Sequence, residues 1–285
     1  MLFSPQDGRL TGMPVRRWRL LELEVHDAYM NMAIDEAILM ARIMGKVPNT
    51  IRFYRWEPSA VSLGMFRPID DVDLGACRRL GVDVVRRPTG GGTVYHDREG
   101  EITYSVVVDA GSLGNPDVPG SYELICSGLI RACELLGLEA ELNPGGPRAC
   151  PNVIIGGRKV SGNAQVWRRG VILQHGTFLI KVDLAKMFTV LKAPWPLPLE
   201  EVVRRARRKI TSIERELGRP VPIREAYEAL KEGFSRALGV ELKPGRLTNL
   251  EVKLARELYR GKYSREDWNL VGPRALRPGR TACMA

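Results

Sequence analysis

The sequence predicts an α+β fold, in which a largely antiparallel sheet is flanked by helices and followed by a small C-terminal helical segment. Strand and helix patterns are mixed along the chain, without the regular alternation that builds a parallel sheet. The stretch 153–182 reads as three strands joined by Gly156-Gly157 and by Arg168-Arg169-Gly170, which favours an antiparallel meander. From Leu199 onward, apolar residues recur mainly at helical spacing.

The N-terminal half contains short strands and one-faced helices. Arg19–Val25 predicts a first strand, and Tyr29–Met44 predicts a helix that ends before Gly45. Turn residues such as Glu57-Pro58 separate neighbouring strands. Further strands are expected at 51–56, 60–64, 82–87 and 102–109, and further helices at 72–80 and 122–136.

The C-terminal part carries three helical patterns, at 199–217, 223–238 and 250–259. The chain is therefore expected to have four parts. These are a flexible leader at 1–15, a main domain at 16–198, a mainly helical C-terminal part of the same unit at 199–272, and a disordered tail at 273–285.

The composition narrows the classes of partner and location. The 285 residues are 44% hydrophobic and carry a net charge of +10, which favours acidic partners. The sequence has no apolar run long enough to predict a membrane span, and the first residues lack a secretory pattern. The cytoplasm is therefore the expected location. The basic run 204–209 leaves nucleic-acid binding as an alternative, although nearby glutamates favour a solvated helix face.

The cysteines favour a reducing compartment rather than disulfides or zinc. Cys77, Cys126, Cys133, Cys150 and Cys283 are scattered, and no two of them have the close spacing of a zinc site. Cys126 and Cys133 fall within a helical pattern, which is typical of small core residues.

The most informative segment runs from Arg86 to Asp97 and contains Gly90-Gly91-Gly92 directly after a strand pattern. Successive glycines let the backbone approach a ligand closely, and consecutive amide N–H groups can bind an anion. Two arginines precede the loop, and arginine forms paired hydrogen bonds with carboxylates and phosphates. The spacing matches neither the dinucleotide-binding nor the P-loop motif. A glycine-rich turn without a ligand is the alternative.

Two later strands carry polar residues of interest. Lys159 lies among Ser, Gly and Ala residues, which leave room for a cavity, while an exposed strand lysine is the alternative. Gln174-His175-Gly176-Thr177 interrupts an apolar strand, so His175 either faces a cavity or is a hydrogen-bonded core histidine.

Taken in order, the segments 86–97, 157–165 and 174–177 resemble the lipoate-protein ligase family, within the superfamily of biotin and lipoate protein ligases. The segments 31–37 and 52–56 support the resemblance, and the ending at 254–269 looks like that of archaeal two-subunit-type catalytic chains. The resemblance implies that 16–198 is a biotin/lipoate ligase-like catalytic domain. The superfamily also holds octanoyltransferases.

The resemblance implies a lipoate-protein ligase that uses ATP and Mg²⁺ to convert lipoic acid to lipoyl-AMP and then acylates a lysine of another protein. The implied acceptors are acidic lipoyl domains of 2-oxoacid dehydrogenase E2 chains and the glycine cleavage H protein, and the two-subunit type implies a separate small accessory subunit. Lys159 is the implied catalytic residue, which stabilises charge on the reacting oxygens. The implied substrate- and nucleotide-binding residues are Arg86, Gly90, Gly91, Gly92, Thr93, Tyr95, His96, Asp97, Asn152, Ser161, Gly162, Ala164, His175, Gly176 and Thr177.

Two departures keep other activities open. Asn152 stands near the position of an aspartate that helps to place the metal in many ligases, and it is a weaker metal ligand. Octanoyltransferases of this superfamily carry the acyl group as a thioester on a cysteine and need no ATP, so Cys150 is the alternative nucleophile. Because those transferases usually have Gly-Gly-Arg where this chain has Gly90-Gly91-Gly92, the ligase is the preferred prediction. A non-catalytic accessory role is a further alternative.

Overall fold

The computed structural model describes residues 16–146 and 150–273, and eight of its strands form one sheet. The strands are β1 (Arg16–His26), β2 (Thr50–Trp56), β3 (Ala60–Leu63), β4 (Asp83–Arg86), β5 (Thr93–His96), β6 (Glu101–Asp109), β7 (Glu141–Asn143), β8 (Asn152–Ile155), β9 (Arg158–Arg168), β10 (Val171–Leu179) and β11 (Val240–Pro244). The large sheet has the order β11-β1-β2-β6-β10-β9-β8-β7. β1 runs parallel to β2 and β11, and the other neighbouring pairs are antiparallel.

The remaining three strands form a small sheet in the order β4-β3-β5. β3 is parallel to β4 and antiparallel to β5. The glycine-rich loop connects β4 to β5 and therefore lies at one end of this small sheet.

Helices cover both faces of the large sheet. They are α1 (Ala28–Ile43), α2 (Leu74–Leu80), α3 (Val118–Leu135), α4 (Leu184–Val190), α5 (Leu199–Ala206), α6 (Ile213–Leu217), α7 (Ile223–Leu238), α8 (Asn249–Leu258) and α9 (Glu266–Val271). Strand β2 shows why two layers form, because its side chains alternate between faces. Ile51 and Phe53 join the core beneath α3 and α7, whereas Tyr54 and Trp56 join the core beneath α1. The predicted α+β class is confirmed.

One predicted helix is wrong. The stretch 199–217 forms two helices, α5 and α6, instead of one. Between them, the Lys209 carbonyl oxygen accepts a hydrogen bond from the Lys159 amide at 2.8 Å, and the Thr211 amide donates to the Lys159 carbonyl oxygen at 2.9 Å. These bonds pair the segment with the start of β9, and this tertiary pairing outweighs the local helix preference.

The sequence patterns also missed several short elements, namely β5, β7, β11, α4 and α9. The expected leader at 1–15 and nearly all of the expected tail, residues 274–285, lie outside the described residues. Within residues 16–146 and 150–273, no helix is long and apolar enough to cross a membrane.

Candidate active site

A cavity of about 320 Å³ is lined by both sheets, by α1 and by the loop between β4 and β5. Lys159 and His175, which lie far apart in the sequence, both line it. The other predicted site residues that line it are Gly91, Gly92, Thr93, His96, Cys150, Asn152, Gly162, Ala164, Gly176 and Thr177. The structure thus brings all three sequence segments to one place.

Arg87 holds the glycine loop from within. Its Nη2 atom donates to the carbonyl oxygens of Gly90 and Gly92, each at 2.7 Å, and Nη1 donates to the Ser62 carbonyl oxygen at 3.0 Å. Burial lowers the pKa of Arg87 to about 10. In the described part of the chain, the amide N–H groups of Gly91 and Gly92 donate no hydrogen bond. They are therefore available to a substrate oxygen.

Gly91 is the loop position where a side chain cannot be accommodated. Its φ is +90°, and an added Cβ would lie 3.0 Å from Arg87 Nη2 and 3.3 Å from Cys150 Sγ. We expect Gly91→Ala to lower kcat/KM for the reaction of this cavity by roughly 100-fold, because it shifts the loop against the reacting groups. Steady-state kinetics checks this expectation.

Gly90→Ala is the matched control, because a Cβ at Gly90 meets nothing within 4 Å. We expect that variant to keep its activity within about threefold, which is less than 1 kcal/mol. Equal losses in the two variants would contradict the role assigned to Gly91.

Lys159 is fixed at the start of β9 by the two backbone hydrogen bonds to the α5–α6 connection. Gly162 makes room for its side chain, since a Cβ there would lie 2.6 Å from Lys159 Nζ. Burial, and next the charge of Arg87, lower the pKa of Lys159 from its usual value. A lysine in such surroundings loses its proton more readily than one in water.

Cys150 differs from the other cysteines that the structure describes. Burial raises the pKa of Cys77 to about 11 and the pKa values of Cys126 and Cys133 to about 12, so these thiols are inert. Cys150 is only half-buried and lines the cavity with Lys159. Burial, and next the proximity of Cys150, raise the pKa of Tyr122, so its phenol keeps its proton beside the thiol.

His175 links the glycine loop to α1 beneath the cavity. Its Nε2 lies 2.7 Å from Thr89 Oγ1, and its Nδ1 lies 3.0 Å from Asp35 Oδ2. Burial, together with the charges of Arg87 and His96, lowers the pKa of His175 although Asp35 raises it, which favours the neutral ring. Burial alone would raise the pKa of Asp35, but His175 and Arg52 outweigh it and lower that pKa. His175 therefore positions the loop rather than carrying charge.

His96 forms a second buried link. Its Nδ1 lies 2.8 Å from Glu101 Oε1, and its Nε2 lies 2.8 Å from Ser62 Oγ. The imidazole stacks on Trp56 with 4.0 Å between the ring centroids. Both ring nitrogens of His96 already have hydrogen-bond partners within the protein. His96 and Trp56 therefore line the cavity with the faces of their rings.

Comparison with known proteins identifies the family. The profile of the lipoyl protein ligase A/B catalytic domain matches residues 27–235. The chain belongs to the lipoyl protein ligase A/B catalytic domain family.

Two relatives in this family resemble the chain over nearly their whole length. Octanoyltransferase LipM from Symbiobacterium thermophilum is 43% identical over 271 residues, which cover 89% of this chain and 98% of that protein. Octanoyltransferase LipM from Brevibacillus brevis is 38% identical over 279 residues, which cover 90% and 99%. These findings overturn the lipoate-protein ligase activity preferred from the sequence, and they agree with the octanoyltransferase alternative.

Solved structures share the fold of this family member. A structure of a bipartite lipoate protein ligase and its E2 lipoyl domain from Thermoplasma acidophilum matches with a TM-score of 0.78 and 31% identity, covering 94% of this chain and 100% of that chain. A lipoate-protein ligase A bound with ATP matches with a TM-score of 0.77 and 31% identity, covering 89% and 98%. The sequence resemblance to ligases thus reflects a shared lipoyl ligase A/B fold.

The prediction that Arg86 binds the substrate is wrong. Arg86 is buried on the side of β4 away from the cavity, and its guanidinium donates to backbone carbonyl oxygens. Its acceptors are Gly64, Met65, Arg67, Trp268, Asn269 and Leu270. Arg86 therefore ties α9 to the base of the glycine loop, and its neighbour Arg87 faces the site.

Four other predicted binding residues do not line this cavity. Tyr95 packs in the core of the small sheet, and Asp97 accepts a hydrogen bond from the Glu99 amide. Gly90 only supplies its carbonyl oxygen to Arg87. Ser161 is buried and donates to Asn163 Oδ1 at 3.1 Å, so it supports a cavity residue from behind.

Sequence reasoning missed several lining residues of this lipoyl ligase A/B domain. Met32, Tyr54 and Trp56 form the apolar part of the wall, and Asn163 forms part of the polar wall. Met32, Tyr54 and Trp56 lie in the segments 31–37 and 52–56, which supported the family resemblance. That resemblance could have indicated them as site residues.

The residues that line the cavity fit Mg²⁺ poorly. Magnesium is usually bound through carboxylates, and no described residue lining the cavity is an aspartate or glutamate. Asn152 lines it, but its amide is a weak substitute. In residues 16–146 and 150–273, no group of three His, Cys, Asp or Glu side chains could hold a metal ion.

Proposed function

We propose that this chain is an octanoyltransferase that moves an octanoyl group from a carrier thioester to a lysine of a lipoyl-acceptor domain, without ATP or Mg²⁺. The observation that carries the proposal is that Cys150 and Lys159 line one cavity beside the glycine loop. The names of the full-length relatives support the same reaction.

The first half-reaction is transfer of the octanoyl group to Cys150. Lys159, whose pKa is lowered by burial and by Arg87, accepts the proton of the Cys150 thiol. The thiolate attacks the carbonyl carbon of the donor thioester, so a new carbon–sulfur bond forms. The bond to the carrier sulfur then breaks, and the departing thiolate takes the proton from the Lys159 ammonium.

The charge that develops on the thioester oxygen needs fixed donors. Gly91 and Gly92, whose amide N–H groups donate no hydrogen bond within residues 16–146 and 150–273, line the cavity with Lys159 and Cys150. Preorganised donors of this kind stabilise an oxyanion more strongly than water does, because they need no reorientation during the reaction. The glycine loop thus serves a tetrahedral intermediate rather than a nucleotide phosphate.

In the second half-reaction, the neutral amine of the acceptor lysine attacks the Cys150 thioester and releases the thiol as the amide forms. Lipoyl-acceptor domains, such as those of E2 chains and the H protein, are the proposed acceptors. Because the chain carries a net charge of +10, long-range attraction brings acidic domains of this type to it.

The octanoyl chain occupies the part of the cavity formed by Met32, Tyr54 and Trp56. These side chains are buried, with exposed fractions of 1%, 0% and 1%. An eight-carbon chain that contacts them is removed from water. This favours binding by about 0.8 kcal/mol for each buried CH₂ group.

Mass spectrometry of the intact protein tests the proposal. We expect a purified sample mixed with an octanoyl thioester, and no ATP, to gain one octanoyl group on Cys150 that hydroxylamine removes. Addition of a lipoyl domain should then move the group to one lysine. Acylation that occurs only with free octanoate and ATP would contradict the proposal.

A further inference from the structure

A second cavity, of about 480 Å³, adjoins the first. Thr93, Val94, Lys159 and Thr177 line both cavities. Lys159 therefore stands at their junction, with Cys150 on the side of the first cavity. The reaction proposed above assigns the first cavity to the acyl chain and leaves the second without a role.

The second cavity has a mostly apolar wall that is held in place by the backbone. Leu191 pairs with Val72 in an isolated antiparallel bridge, and the Lys192 amide donates to the Asp71 carbonyl oxygen at 2.8 Å. The apolar lining includes Leu179, Met187, Phe188, Leu191, Ala193 and Ile210. Such a wall suits a long, partly apolar chain better than a compact ion.

Cations outnumber anions around this second cavity. Lys192 lines it and is exposed, and the Arg67 guanidinium is paired with Asp71 at 2.5 Å. The Asp71 carboxylate also accepts a hydrogen bond from Thr93 Oγ1 at 2.8 Å. Asp70 is the second carboxylate in the lining.

The basic run of the sequence directly precedes one residue that lines this cavity. Arg207, Arg208 and Lys209 are exposed and directly precede the lining residue Ile210. Within the described part of the chain, they form no ion pair, whereas Arg204 and Arg205 pair with Glu201. Among the residues that line the cavity, exposed Lys192 is the one suited to a negatively charged group.

We propose that the second cavity binds the 4′-phosphopantetheine arm of the acyl donor, with the phosphate at Lys192. This inference rests on the proposed transferase reaction. When the octanoyl chain fills the first cavity and the thioester carbonyl lies at Cys150 and Lys159, the thiol side of the donor must leave through the junction. A pantetheine arm is long, has apolar stretches and ends in a phosphate, which matches the wall and its cation.

Coenzyme A and carrier proteins present the same arm, so the experiment compares donors. Octanoyl thioesters of N-acetylcysteamine, pantetheine, 4′-phosphopantetheine, coenzyme A and an acyl carrier protein are each mixed with the wild-type chain. The rate of Cys150 acylation is measured by mass spectrometry. A higher kcat/KM for the carrier protein than for coenzyme A identifies the carrier protein as the source, and the reverse order identifies coenzyme A.

Lys192→Ala tests the phosphate contact. We expect kcat/KM to fall about tenfold for the three donors that carry the phosphopantetheine phosphate, the loss typical of one charge-assisted contact, and to stay unchanged for pantetheine and N-acetylcysteamine thioesters. Lys186→Ala removes the same charge from an exposed position on α4 outside this cavity and should leave all five donors unchanged. Equal losses for donors with and without phosphate overturn the proposal.

Ala193→Trp tests the arm itself. The larger side chain should slow acylation by pantetheine-length donors and spare the short N-acetylcysteamine thioester, while thermal unfolding shows an intact fold. Unchanged rates with the long donors, or an equal loss with the short one, would contradict the proposal that the second cavity binds the pantetheine arm. If no donor acylates wild-type Cys150, the transferase reaction itself fails; if donors acylate it without these differences, only the proposal for the second cavity fails.

Discussion

Cys150→Ala is expected to abolish octanoyl transfer, with a loss of roughly 10⁴-fold or more, because the nucleophile of a covalent reaction has no substitute in the site. The half-buried thiol lines the cavity with Lys159. Alanine removes only the sulfur atom. The fold and the binding of the acyl donor should therefore survive.

Two measurements separate loss of chemistry from loss of structure. Intact mass spectrometry should show no acyl adduct on Cys150→Ala, and its thermal unfolding should match that of the wild type. Cys77→Ala is the control, because Cys77 is buried in the core of the small sheet away from the cavity. We expect Cys77→Ala to transfer octanoyl at the wild-type rate. Full activity of Cys150→Ala would exclude a thioester on this residue.

Much of the site could be predicted from sequence because its chemistry lies in short contiguous segments. Three successive glycines indicate a backbone that approaches a ligand closely. The family resemblance then predicted that Lys159 and His175 lie beside that loop. The structure brings all three segments to one cavity. The fold class was equally accessible, since the strand meander at β8, β9 and β10 is marked by its turn residues.

The face of each arginine could not be predicted in the same way. Arg86 and Arg87 are adjacent, and successive strand residues point to opposite sides, so one of them had to face away. The deciding contact comes from α9, whose carbonyl oxygens receive the Arg86 guanidinium. Such a long-range partner leaves no trace in the local pattern.

The reaction type was hidden for a related reason. Gly90-Gly91-Gly92 favoured the ligase, whereas Cys150 kept the transferase open, so the short motifs pointed to different reactions. The names of the full-length relatives favour the transferase, and the proposal is supported by the cavity lining, which includes Cys150 and has no carboxylate among its described residues. That composition depends on residues from many strands.

Lys159→Met is expected to lower the rate of Cys150 acylation by roughly 10²–10³-fold, because it removes both the proton acceptor and the fixed cation at the thioester oxygen. Methionine keeps a similar length and apolar character, so β9 should remain in place. Its backbone bonds to Lys209 and Thr211 do not involve the side chain. Single-turnover acylation with an octanoyl thioester measures the effect.

The pH dependence distinguishes the lysine's role in proton transfer from a role in packing. Thiol and amine share one proton in the reactive state, so wild-type kcat/KM should be bell-shaped. Burial and Arg87 lower the pKa of Lys159, which places the alkaline limb below the usual lysine value of 10.5. As the pH rises through that limb, the ammonium loses its proton and the oxyanion loses its cation.

In Lys159→Met this alkaline limb should vanish, and the residual rate should rise steadily with pH, because the thiol must ionise unaided. Lys159→Arg is the informative comparison. The guanidinium restores a positive charge but does not accept the thiol proton at neutral pH, so it should recover only part of the lost rate. An unchanged bell-shaped profile in Lys159→Met would show that the cavity lysine takes no part in moving the proton.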